Sequence, residues 1–457
     1  METDYNLNSL SRFYQSGETR SLVFRMKQLI TLKEAIVRYE PAIAEALKQD
    51  LHKSEEEAYA TETGLLLMEI SHTLKNLNKW AKPVSAKTSL ANIPSSSKIY
   101  HDPLGVVLII GTWNYPFQLV MIPAMAAIAA GNCVVIKPSE HAPATAALVE
   151  KIVSEVFRPD FVHVVQGAGE KLIPAMMNSF RFDHVFYTGS IAVGREIYKL
   201  AADKLIPVTL ELGGKSPAII EADADIPVTA RRITFGKWIN AGQTCIAPDY
   251  LLVHESVKEK LIIAIRNCIN EFYTADASTS YDYARIINKQ RFDKLVSFLS
   301  DGNIIYGGDH DASQRYFGPT LMDEITLKTP IMQEEIFGPI LPVLSYTDTQ
   351  EAMDIVGQNP DPLALYIFTR NQEVADQWIS KTAFGGGCVN NTAYHFANYN
   401  LPFGGVRSSG IGAYHGKYGF DLFSREKGVM KTPLWFDPKI KYPTFKGKLR
   451  LFKWLFR

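Results

Sequence analysis

The chain has 457 residues, of which 46% are hydrophobic and 21% are charged, and its 48 Lys and Arg residues balance its 48 Asp and Glu residues. A chain longer than about 300 residues exceeds what one hydrophobic core usually supports, so we expect two or three domains. The balanced charge gives no indication of a polyanion-binding surface, and nucleic acid is not expected as a partner.

Four cysteines are scattered along the chain, at Cys133, Cys245, Cys268 and Cys388. They lack the paired spacing of a zinc site or a disulfide framework, so we predict no metal site and expect reduced thiols in the cytoplasm. Residues Met1 to Tyr5 lack the basic and apolar regions of a signal peptide. The longest apolar stretches are shorter than the roughly 20 residues that cross a bilayer, so no transmembrane helix is predicted.

The first part of the chain, from Ser11 to about Lys82, repeats apolar residues at intervals of three and four, which predicts helices. Residues 83–97 are rich in Pro, Ser and Ala and predict a connecting excursion. Apolar runs of strand length then alternate with helical stretches, and strands are predicted at 105–110, 133–137, 162–165, 184–187 and 207–210. This alternation is typical of a doubly wound α/β domain with a parallel sheet.

The alternation resumes after Gly213 and Gly214. Helices are predicted at about 226–239 and 257–273, and strands at 250–253, 304–306, 340–344, 364–368 and 388–390. These elements predict a second α/β domain, and that domain contains Cys245.

The C-terminal tail, residues 431–457, mixes basic and large apolar side chains, and its last eight positions could form a short amphipathic helix. Such an end can lie on an anionic membrane surface, or it can dock into an apolar groove of its own subunit or of a partner. Because so short a helix is marginal on its own, docking is favoured over peripheral membrane contact.

Two residues indicate covalent chemistry. Cys245 lies in a loop of small residues, and Glu211 ends an apolar strand upstream of it. A thiol that attacks a carbonyl and a carboxylate that activates water are the two groups needed for a covalent reaction that ends in hydrolysis. The plainer alternatives are a buried structural cysteine and a solvated surface glutamate.

Seven segments together resemble the aldehyde dehydrogenase superfamily, and they occur in the order of that family. They are 111–117, 136–140, 187–190, 210–215, 242–245, 335–339 and 401–405. The short N-terminus and the segments 112–116 and 245–250 look most like the class 3 branch, which acts on fatty and aromatic aldehydes.

The resemblance implies an α/β fold in which a doubly wound coenzyme-binding domain is joined to a second α/β catalytic domain and a small β bridging or oligomerisation element. We assign residues 1–82 and 105–209 to the coenzyme-binding domain and 210–386 to the catalytic domain. Residues 83–104 and 387–430 then form the bridging element, and 431–457 form the tail. The branch also implies a homodimer.

For catalysis, the resemblance implies that Cys245 is the nucleophile. The side-chain amide of Asn114 and the backbone N–H of Cys245 would stabilise the oxyanion of a thiohemiacetal. Glu211 would activate the water that hydrolyses the thioester. Enzymes of this fold that transfer the acyl group to coenzyme A generally lack that glutamate, so its presence favours a free carboxylic acid as the product.

For the coenzyme, the segment 188–194 follows a strand and opens a helix, as in many pyrophosphate sites, although it departs from GxGxxG and is weak evidence by itself. A carboxylate near the adenosine ribose repels a 2′-phosphate, so NAD is favoured, while NADP is often tolerated in the class 3 branch. The residues that the resemblance implies are Lys137, Glu140, Thr188, Gly189, Ser190, Val193, Gly194, Glu335 and Phe337.

An apolar substrate channel is predicted from the large or flanking residues near the catalytic motifs, each of which is equally well explained as core. They are Tyr115, Leu119, Trp238, Thr244 and Ile246. The prediction is therefore NAD(P)-dependent oxidation of medium-chain, long-chain or aromatic aldehydes. The alternatives are a CoA-acylating enzyme and a catalytically silent binding protein, which should have lost Cys245, Glu211 or Asn114.

Overall fold

The computed structural model describes residues 7–455. The segment Met1–Tyr5, where no signal peptide is predicted, and the last two residues of the tail therefore lie outside the described residues. The helices, α1 to α16 in chain order, are Leu7–Gln15, Leu22–Leu51, Glu55–Ala58, Gly64–Trp80, Gln118–Ala130, Pro143–Val156, Gly169–Ser179, Ile191–Ala202, Ile226–Trp238, Lys258–Tyr273, Lys289–Phe298, Pro330–Gln333, Thr349–Gly357, Gln372–Lys381, Gly416–Leu422 and Leu449–Leu455.

The strands, β1 to β18 in chain order, are Val84–Ala86, Ser96–Pro103, Val106–Ile110, Cys133–Lys137, Val162–Val164, His184–Thr188, Val208–Glu211, Pro217–Ile220, Tyr250–His254, Asn303–Tyr306, His310–Asp311, Tyr316–Phe317, Thr320–Asp323, Ile340–Tyr346, Ala364–Phe368, Gly386–Val389, Gly410–Ile411 and Ser424–Lys431. The predicted excursion at 83–97 contains β1 and the start of β2, which are largely exposed and carry no apolar run.

The first large sheet has the strand order β17-β7-β6-β3-β4-β5. Strands β3 to β7 are parallel, and the short β17 pairs antiparallel with β7 at the edge. Every residue of β3, β4 and β6 is buried, as expected of apolar runs in a sheet that is covered on both faces. The chain leaves β3 toward β4 and later returns to β6 on its other side, so ligand binding is expected at the carboxyl ends of these strands.

The second large sheet has the order β10-β13-β14-β9-β8-β15-β16 and is parallel except for β10. The loop that holds Cys245 leads directly into β9, at the centre of this sheet. A third, antiparallel sheet has the order β1-β2-β18, and its longest pairing joins β2 to β18. The helix and strand alternation predicted from the sequence is confirmed as an α/β fold.

The described helices do not cross a membrane, and the C-terminal tail lies on the surface. Within residues 7–455, no helix combines the length and the apolar character needed to cross a bilayer. The tail remains largely exposed: Leu434 is 100% exposed, Trp435 78% and Trp454 72%. The ring of Phe452 packs on Phe445 of the tail itself, 5.6 Å between centroids. These side chains are therefore not inserted into a groove of their own subunit.

Candidate active site

Cys245 lies between α9 and β9, directly after a strained turn. Asn240, Ala241 and Gly242 have left-handed φ values of 54°, 50° and 74°. This conformation costs roughly 1–2 kcal/mol for each residue other than glycine, and such strain often accompanies functional sites. A Cβ atom at Gly242 would lie 2.3 Å from the carbonyl oxygen of Gly338, so only glycine fits there.

Buried hydrogen bonds hold this turn in place. The backbone N–H of Asn240 donates to Glu57 Oε1 at 2.9 Å. The fully buried side chain of Gln243 donates to the carbonyl oxygens of Asn240 and Arg285 at 3.1 and 3.0 Å and accepts from the N–H of Ile287 at 2.9 Å. Because every polar atom of this amide is bonded, it anchors the loop and does not offer itself to a ligand.

Asn114 approaches the same loop from the segment that follows β3 of the first large sheet. Its Nδ2 donates to the carbonyl oxygen of Gln243 at 3.0 Å, and its own carbonyl oxygen accepts from Asn240 Nδ2 at 2.8 Å. The side chain is buried, and Oδ1 has no hydrogen-bond partner within the described part of the chain. An amide carries two N–H groups, so one of them can serve an oxygen held at Cys245.

An ion pair that the sequence analysis did not identify supports the segment around Asn114. Lys53 Nζ and Glu62 Oε1 are 2.6 Å apart, and both side chains are fully buried. Glu62 Oε2 also accepts from the N–H groups of Phe117 and Gln118 at 2.9 and 3.2 Å. Lys53 Nζ lies 4.1 Å from the centroid of the Tyr115 ring. This network connects the N-terminal helices to the site.

The thiol of Cys245 is half-buried. Burial raises its pKa, and the nearby carboxylates of Glu335 and Glu211 raise it further. The resting side chain is therefore a neutral thiol, and the formation of a thiolate needs a proton acceptor or a nearby positive charge.

Glu211 ends β7 and is buried. Neither of its carboxylate oxygens has a hydrogen-bond partner among residues 7–455, and burial raises its pKa well above the ordinary value. A buried carboxyl group without partners is costly unless a ligand or water binds it. Once it ionises, such a group is a strong base.

Glu335 and Phe337 follow α12. Burial, and then the charge of Asp249, raise the pKa of Glu335 to about 8. A Cβ atom at Gly213 would lie 1.9 Å from Glu335 Oε2, so glycine is needed for this close approach. Phe337 has a left-handed φ of 49°, and its ring meets that of Trp113 edge-on, with 5.2 Å between centroids.

Two buried lysines near Glu335 were not identified from the sequence. Lys215 forms a buried ion pair with Asp249 and donates to the carbonyl oxygen of Ile331 at 2.8 Å. Asp249 Oδ1 accepts from the N–H of Ile336 at 2.9 Å, which holds the neighbouring loop. Burial lowers the pKa of Lys237 to about 8, although Asp249 opposes that shift.

The residues predicted for the adenosine ribose lie together at the end of β4. The buried Lys137 forms an ion pair with Glu140, and Glu140 Oε1 accepts from the N–H of Gly169 at 2.7 Å. Partial burial opposes the ionisation of Glu140, but these hydrogen bonds outweigh it, so its pKa is lowered. Glu140 is therefore a permanent negative charge at this edge.

The residues predicted for the pyrophosphate lie where β6 passes into α8. Thr188 Oγ1 is buried and has no partner in the described chain, and the N–H of Gly189 donates to the carbonyl oxygen of Glu211 at 3.0 Å. Ser190 caps α8 by accepting from the N–H of Val193 at 3.4 Å. Val193 is 45% exposed at the start of α8, so its side chain is accessible to a ligand.

Gly194 is buried one residue further along α8 and faces Leu212. Of the residues predicted for the channel, Tyr115 and Thr244 meet, since their hydroxyl oxygens are 2.7 Å apart. Trp238 is fully buried and donates to the carbonyl oxygen of Pro339 at 2.8 Å. Leu119 and Ile246 are also buried.

A model described as the aldehyde dehydrogenase family matches residues 14–429. This chain belongs to the aldehyde dehydrogenase family. It is 45% identical to the 4,4'-diaponeurosporen-aldehyde dehydrogenase of Staphylococcus aureus over 447 aligned residues. The aligned region covers 97% of each chain. Over 453 residues it is 43% identical to aldehyde dehydrogenase family 3 member H1 of Arabidopsis thaliana, covering 98% of this chain and 93% of that relative.

The fold is similar to that of a solved structure of a substrate-bound Staphylococcus aureus AldH, with a TM-score of 0.97, 44% identity and 98% of each chain covered. The family resemblance read from the seven segments and the α/β fold are thus confirmed. The protein is an NAD(P)-dependent enzyme that oxidises aldehydes.

Proposed function

We propose that this enzyme oxidises medium-chain, long-chain or aromatic aldehydes to free carboxylic acids through covalent intermediates on Cys245. One observation carries the proposal. Glu211 is a buried carboxyl group with no partner among residues 7–455, and its charge acts on the Cys245 thiol. A base and a nucleophile so arranged are what acylation followed by hydrolysis requires.

In the first half of the reaction, the thiol of Cys245 gives up its proton to solvent, and its sulfur attacks the aldehyde carbon and forms a thiohemiacetal. The second amide N–H of Asn114 and the backbone N–H of Cys245 donate to the oxyanion. Removal of one such donor typically costs a few kcal/mol of transition-state stabilisation. The bound coenzyme supplies the hydride acceptor. The hydrogen-bonded turn at 240–243 keeps the sulfur and the Asn114 amide in register.

In the second half, Glu211 removes a proton from the water that attacks the thioester. Its raised pKa makes the ionised form a strong base. Release of a free acid follows, and Glu211 accounts for our preference over a CoA-acylating reaction. A catalytically silent scaffold is also disfavoured, because Cys245, Glu211 and Asn114 are all retained.

We propose that the dinucleotide lies along the carboxyl ends of β4 and β6. Its ribose would contact Lys137 and Glu140, and its phosphates the start of α8. The exposed Val193 and the unpartnered Thr188 Oγ1 support this position. The full proposed set is Lys137, Glu140, Thr188, Gly189, Ser190, Val193, Gly194, Glu335 and Phe337. The charge of Glu140 favours NAD, with NADP admitted.

The relative in Staphylococcus aureus is named for 4,4'-diaponeurosporen-aldehyde. Together with the class 3 resemblance, this name supports a hydrophobic aldehyde as substrate. The Tyr115 and Thr244 pair next to Cys245 supports an entrance there, with Leu119, Trp238 and Ile246 in its wall.

We further propose a cytoplasmic homodimer with the domain division given above. The four free cysteines support a reducing compartment. The tail begins directly after β18, in the sheet that the family resemblance assigns to subunit pairing. We therefore propose that the exposed tail docks on the second subunit, ahead of contact with a membrane.

The variants Glu211→Gln and Cys245→Ala test the mechanism. Glu211→Gln keeps the size of the side chain and removes the base, so we expect a normal first burst of NADH and a fall of about a hundredfold or more in steady-state turnover. Intact-mass spectrometry should detect the stalled acyl-enzyme. Cys245→Ala should form no NADH from hexanal or benzaldehyde and still bind coenzyme. Equal steady-state rates in Glu211→Gln would remove Glu211 from this role, and turnover by Cys245→Ala would refute the covalent route.

A further inference from the structure

Tyr414 is a buried residue that the steps above do not use. Its side chain has no exposed surface, and its hydroxyl has no hydrogen-bond partner in the described chain. Buried tyrosine hydroxyls usually find a partner, and one without a partner costs about 1–3 kcal/mol. Packing in the core alone does not explain this unbonded oxygen.

The strand register and a ring contact place Tyr414 on the face of the first sheet that bears Glu211. Thr188 pairs with Glu211 across β6 and β7, and Phe186 pairs with Thr209. Residues two apart along a strand point to the same face, so these four side chains share one face of the first sheet. The ring of Tyr414 packs edge-on against Phe186 on that face, with 5.1 Å between centroids.

The segment that carries Tyr414 also runs along the face of the first sheet that bears Glu211. Gly410 of β17 pairs with Glu211, and a Cβ atom at Gly412 would lie 3.1 Å from the Thr209 side chain. The segment therefore runs from the strand end that bears Glu211 across the same face. Three side chains on this face of the sheet have buried polar atoms without hydrogen-bond partners among residues 7–455. These atoms are Thr188 Oγ1, both carboxylate oxygens of Glu211 and the Tyr414 hydroxyl.

Tyr414 is held rigidly in this position. Its N–H and carbonyl groups exchange two hydrogen bonds with Phe403, at 2.8 and 3.1 Å. The next residue, His415, contacts Glu69 Oε1 through Nδ1 at 2.6 Å, and both side chains are buried. The N–H of Gly416 donates to the other oxygen of Glu69 at 3.1 Å. The phenol therefore cannot easily turn away to find another partner.

The charges are consistent with this position. Burial raises the pKa of Tyr414, and the charges of Glu211, then Cys245, then Glu69 raise it further. The phenol therefore stays protonated at working pH and acts as a neutral hydrogen-bonding group rather than as a base.

We propose that Tyr414 and Glu211 together hold the water molecule that hydrolyses the acyl-enzyme. This assignment rests on the function proposed above and adds a second residue to its hydrolytic half. One O–H bond of the water points to a carboxylate oxygen of Glu211, and the other points to the phenol oxygen. The lone pair of the water is thereby directed at the thioester carbon.

The water oxygen forms a bond to the acyl carbon while Glu211 takes one proton. The tetrahedral intermediate then expels the sulfur of Cys245, so the C–S bond breaks, and Glu211 returns the proton to that sulfur. The product is the free acid, and both side chains regain their starting states. Tyr414 positions the water and exchanges no proton.

The test is Tyr414→Phe, which removes only the hydroxyl oxygen. In rapid-quench experiments with hexanal and NAD, the NADH burst should keep its rate. Decay of the acyl-enzyme, measured by intact mass, should slow by about tenfold or more, because the reacting water loses one hydrogen bond. The kcat/KM value should not change, because it reports the steps up to acylation. Hydroxylamine, a stronger nucleophile than water, should restore fast decay and yield the hydroxamate.

Tyr346→Phe is the matched control. Tyr346 is an equally buried tyrosine, but its hydroxyl donates to the carbonyl oxygen of Ile220 at 3.0 Å in the second sheet. Its loss should lower thermal stability and leave acyl-enzyme decay unchanged, whereas Tyr414→Phe should not lower stability. Acyl-enzyme decay in Tyr414→Phe within twofold of the wild-type rate would overturn the proposal. A parallel fall in the burst rate would also overturn it, because that indicates a general structural role.

Glu211→Gln, run in the same assay, distinguishes the role of Glu211 as the base from the role of Tyr414 in positioning the water. If decay of the acyl-enzyme stalls in Glu211→Gln but not in Tyr414→Phe, Glu211 is the base and Tyr414 does not position the water. If neither variant stalls, the hydrolytic mechanism itself fails.

Discussion

At the scale of single residues, environment separates carboxyl groups of the same kind. Glu211 and Glu335 are desolvated, and their pKa values are raised, the latter to about 8. Glu140 is also partly buried, but the hydrogen bonds from Lys137 and Gly169 lower its pKa. The first two are therefore suited to proton transfer at a pH above the ordinary carboxyl range, and Glu140 is suited to a constant charge.

This difference leads to a prediction about coenzyme preference. Glu140→Gln keeps an acceptor for the N–H of Gly169 but removes the charge that repels a 2′-phosphate. We expect kcat/KM with NADP to rise about tenfold relative to kcat/KM with NAD, which corresponds to about 1.4 kcal/mol. Steady-state kinetics with both coenzymes measure the ratio.

The matched control is Glu196→Gln, which removes an exposed glutamate paired with Lys199 on the surface of α8. It should leave the coenzyme ratio unchanged. If Glu140→Gln lowers activity with both coenzymes equally, the role of Glu140 is to hold Lys137 rather than to select against the phosphate.

At the scale of secondary-structure elements, His184 makes the first sheet sensitive to acid. It lies on β6 and is buried, and its Nε2 is 2.9 Å from Thr209 Oγ1 on β7. Burial lowers its pKa from the ordinary 6.5 to about 4. The unfolded chain therefore binds a proton more readily than the folded chain between these two values. Stability from the neutral histidine is complete above pH 6.5 and is lost as pH falls toward 4.

We expect β6 and β7 to lose about 2 kcal/mol of protection between pH 7.5 and pH 5 from this histidine alone. Hydrogen exchange of the amides in these strands, corrected for intrinsic rates, measures it. In His184→Asn this pH-dependent loss of amide protection in β6 and β7 should be absent. In His310→Asn, which changes an exposed histidine, the loss should be the same as in the wild type. A slope that is identical in His184→Asn and the wild type would contradict the prediction.

The elements also indicate what can be predicted from a sequence. The buried runs at 118–130, 133–137 and 364–368 coincide with α5, β4 and β15, because continuous apolar runs bounded by turn residues have few alternatives. The strands β8, β13 and β18 were not predicted. The first two have only four residues each, and β8 contains a proline, which weakens a strand prediction. The strand β18 is charged and mostly exposed, so it presents no apolar run.

The same limit applies to the site. Cys245, Glu211 and Asn114 could be named because local motifs mark them. The groups that hold them could not, because their partners are far apart in the chain. Glu57 reaches the N–H of Asn240, and Lys53 reaches the carbonyl oxygen of Asn114. Such contacts depend on tertiary packing and leave no periodic signal, which also explains why Tyr414 was not identified.

At the scale of the whole molecule, the site is assembled from separate parts of the chain. Asn114 follows β3, Glu211 ends β7, and Cys245 precedes β9 in the second sheet. Tyr414 comes from the segment after β17, close to the residues that lead into the third sheet. The C-terminal part of the chain therefore contributes both to the site and, through β18, to the surface from which the tail extends.

The tail provides the last prediction. Residues 431–457 contain eight Lys and Arg residues and one Asp, and several of their large apolar side chains are exposed. If the tail docks on the second subunit, deletion of residues 449–457 should weaken the dimer about tenfold or more, through loss of buried apolar area. Sedimentation velocity over a range of concentrations measures this change, and the fold and hexanal turnover of the assembled dimer should persist.

A charge variant separates the two possible partners of the tail. Arg450→Glu combined with Lys453→Glu keeps the apolar side chains and removes the attraction to anionic lipid, which is worth about 1 kcal/mol for each basic residue near the surface. We expect this variant to remain more dimeric than the deletion, and we expect neither variant to differ from the wild type in co-sedimentation with phosphatidylserine vesicles. If the deletion leaves the dimer unchanged while both variants lose vesicle binding, the tail contacts the membrane and the docking proposal is wrong. An unchanged dimer without any vesicle binding would exclude both partners.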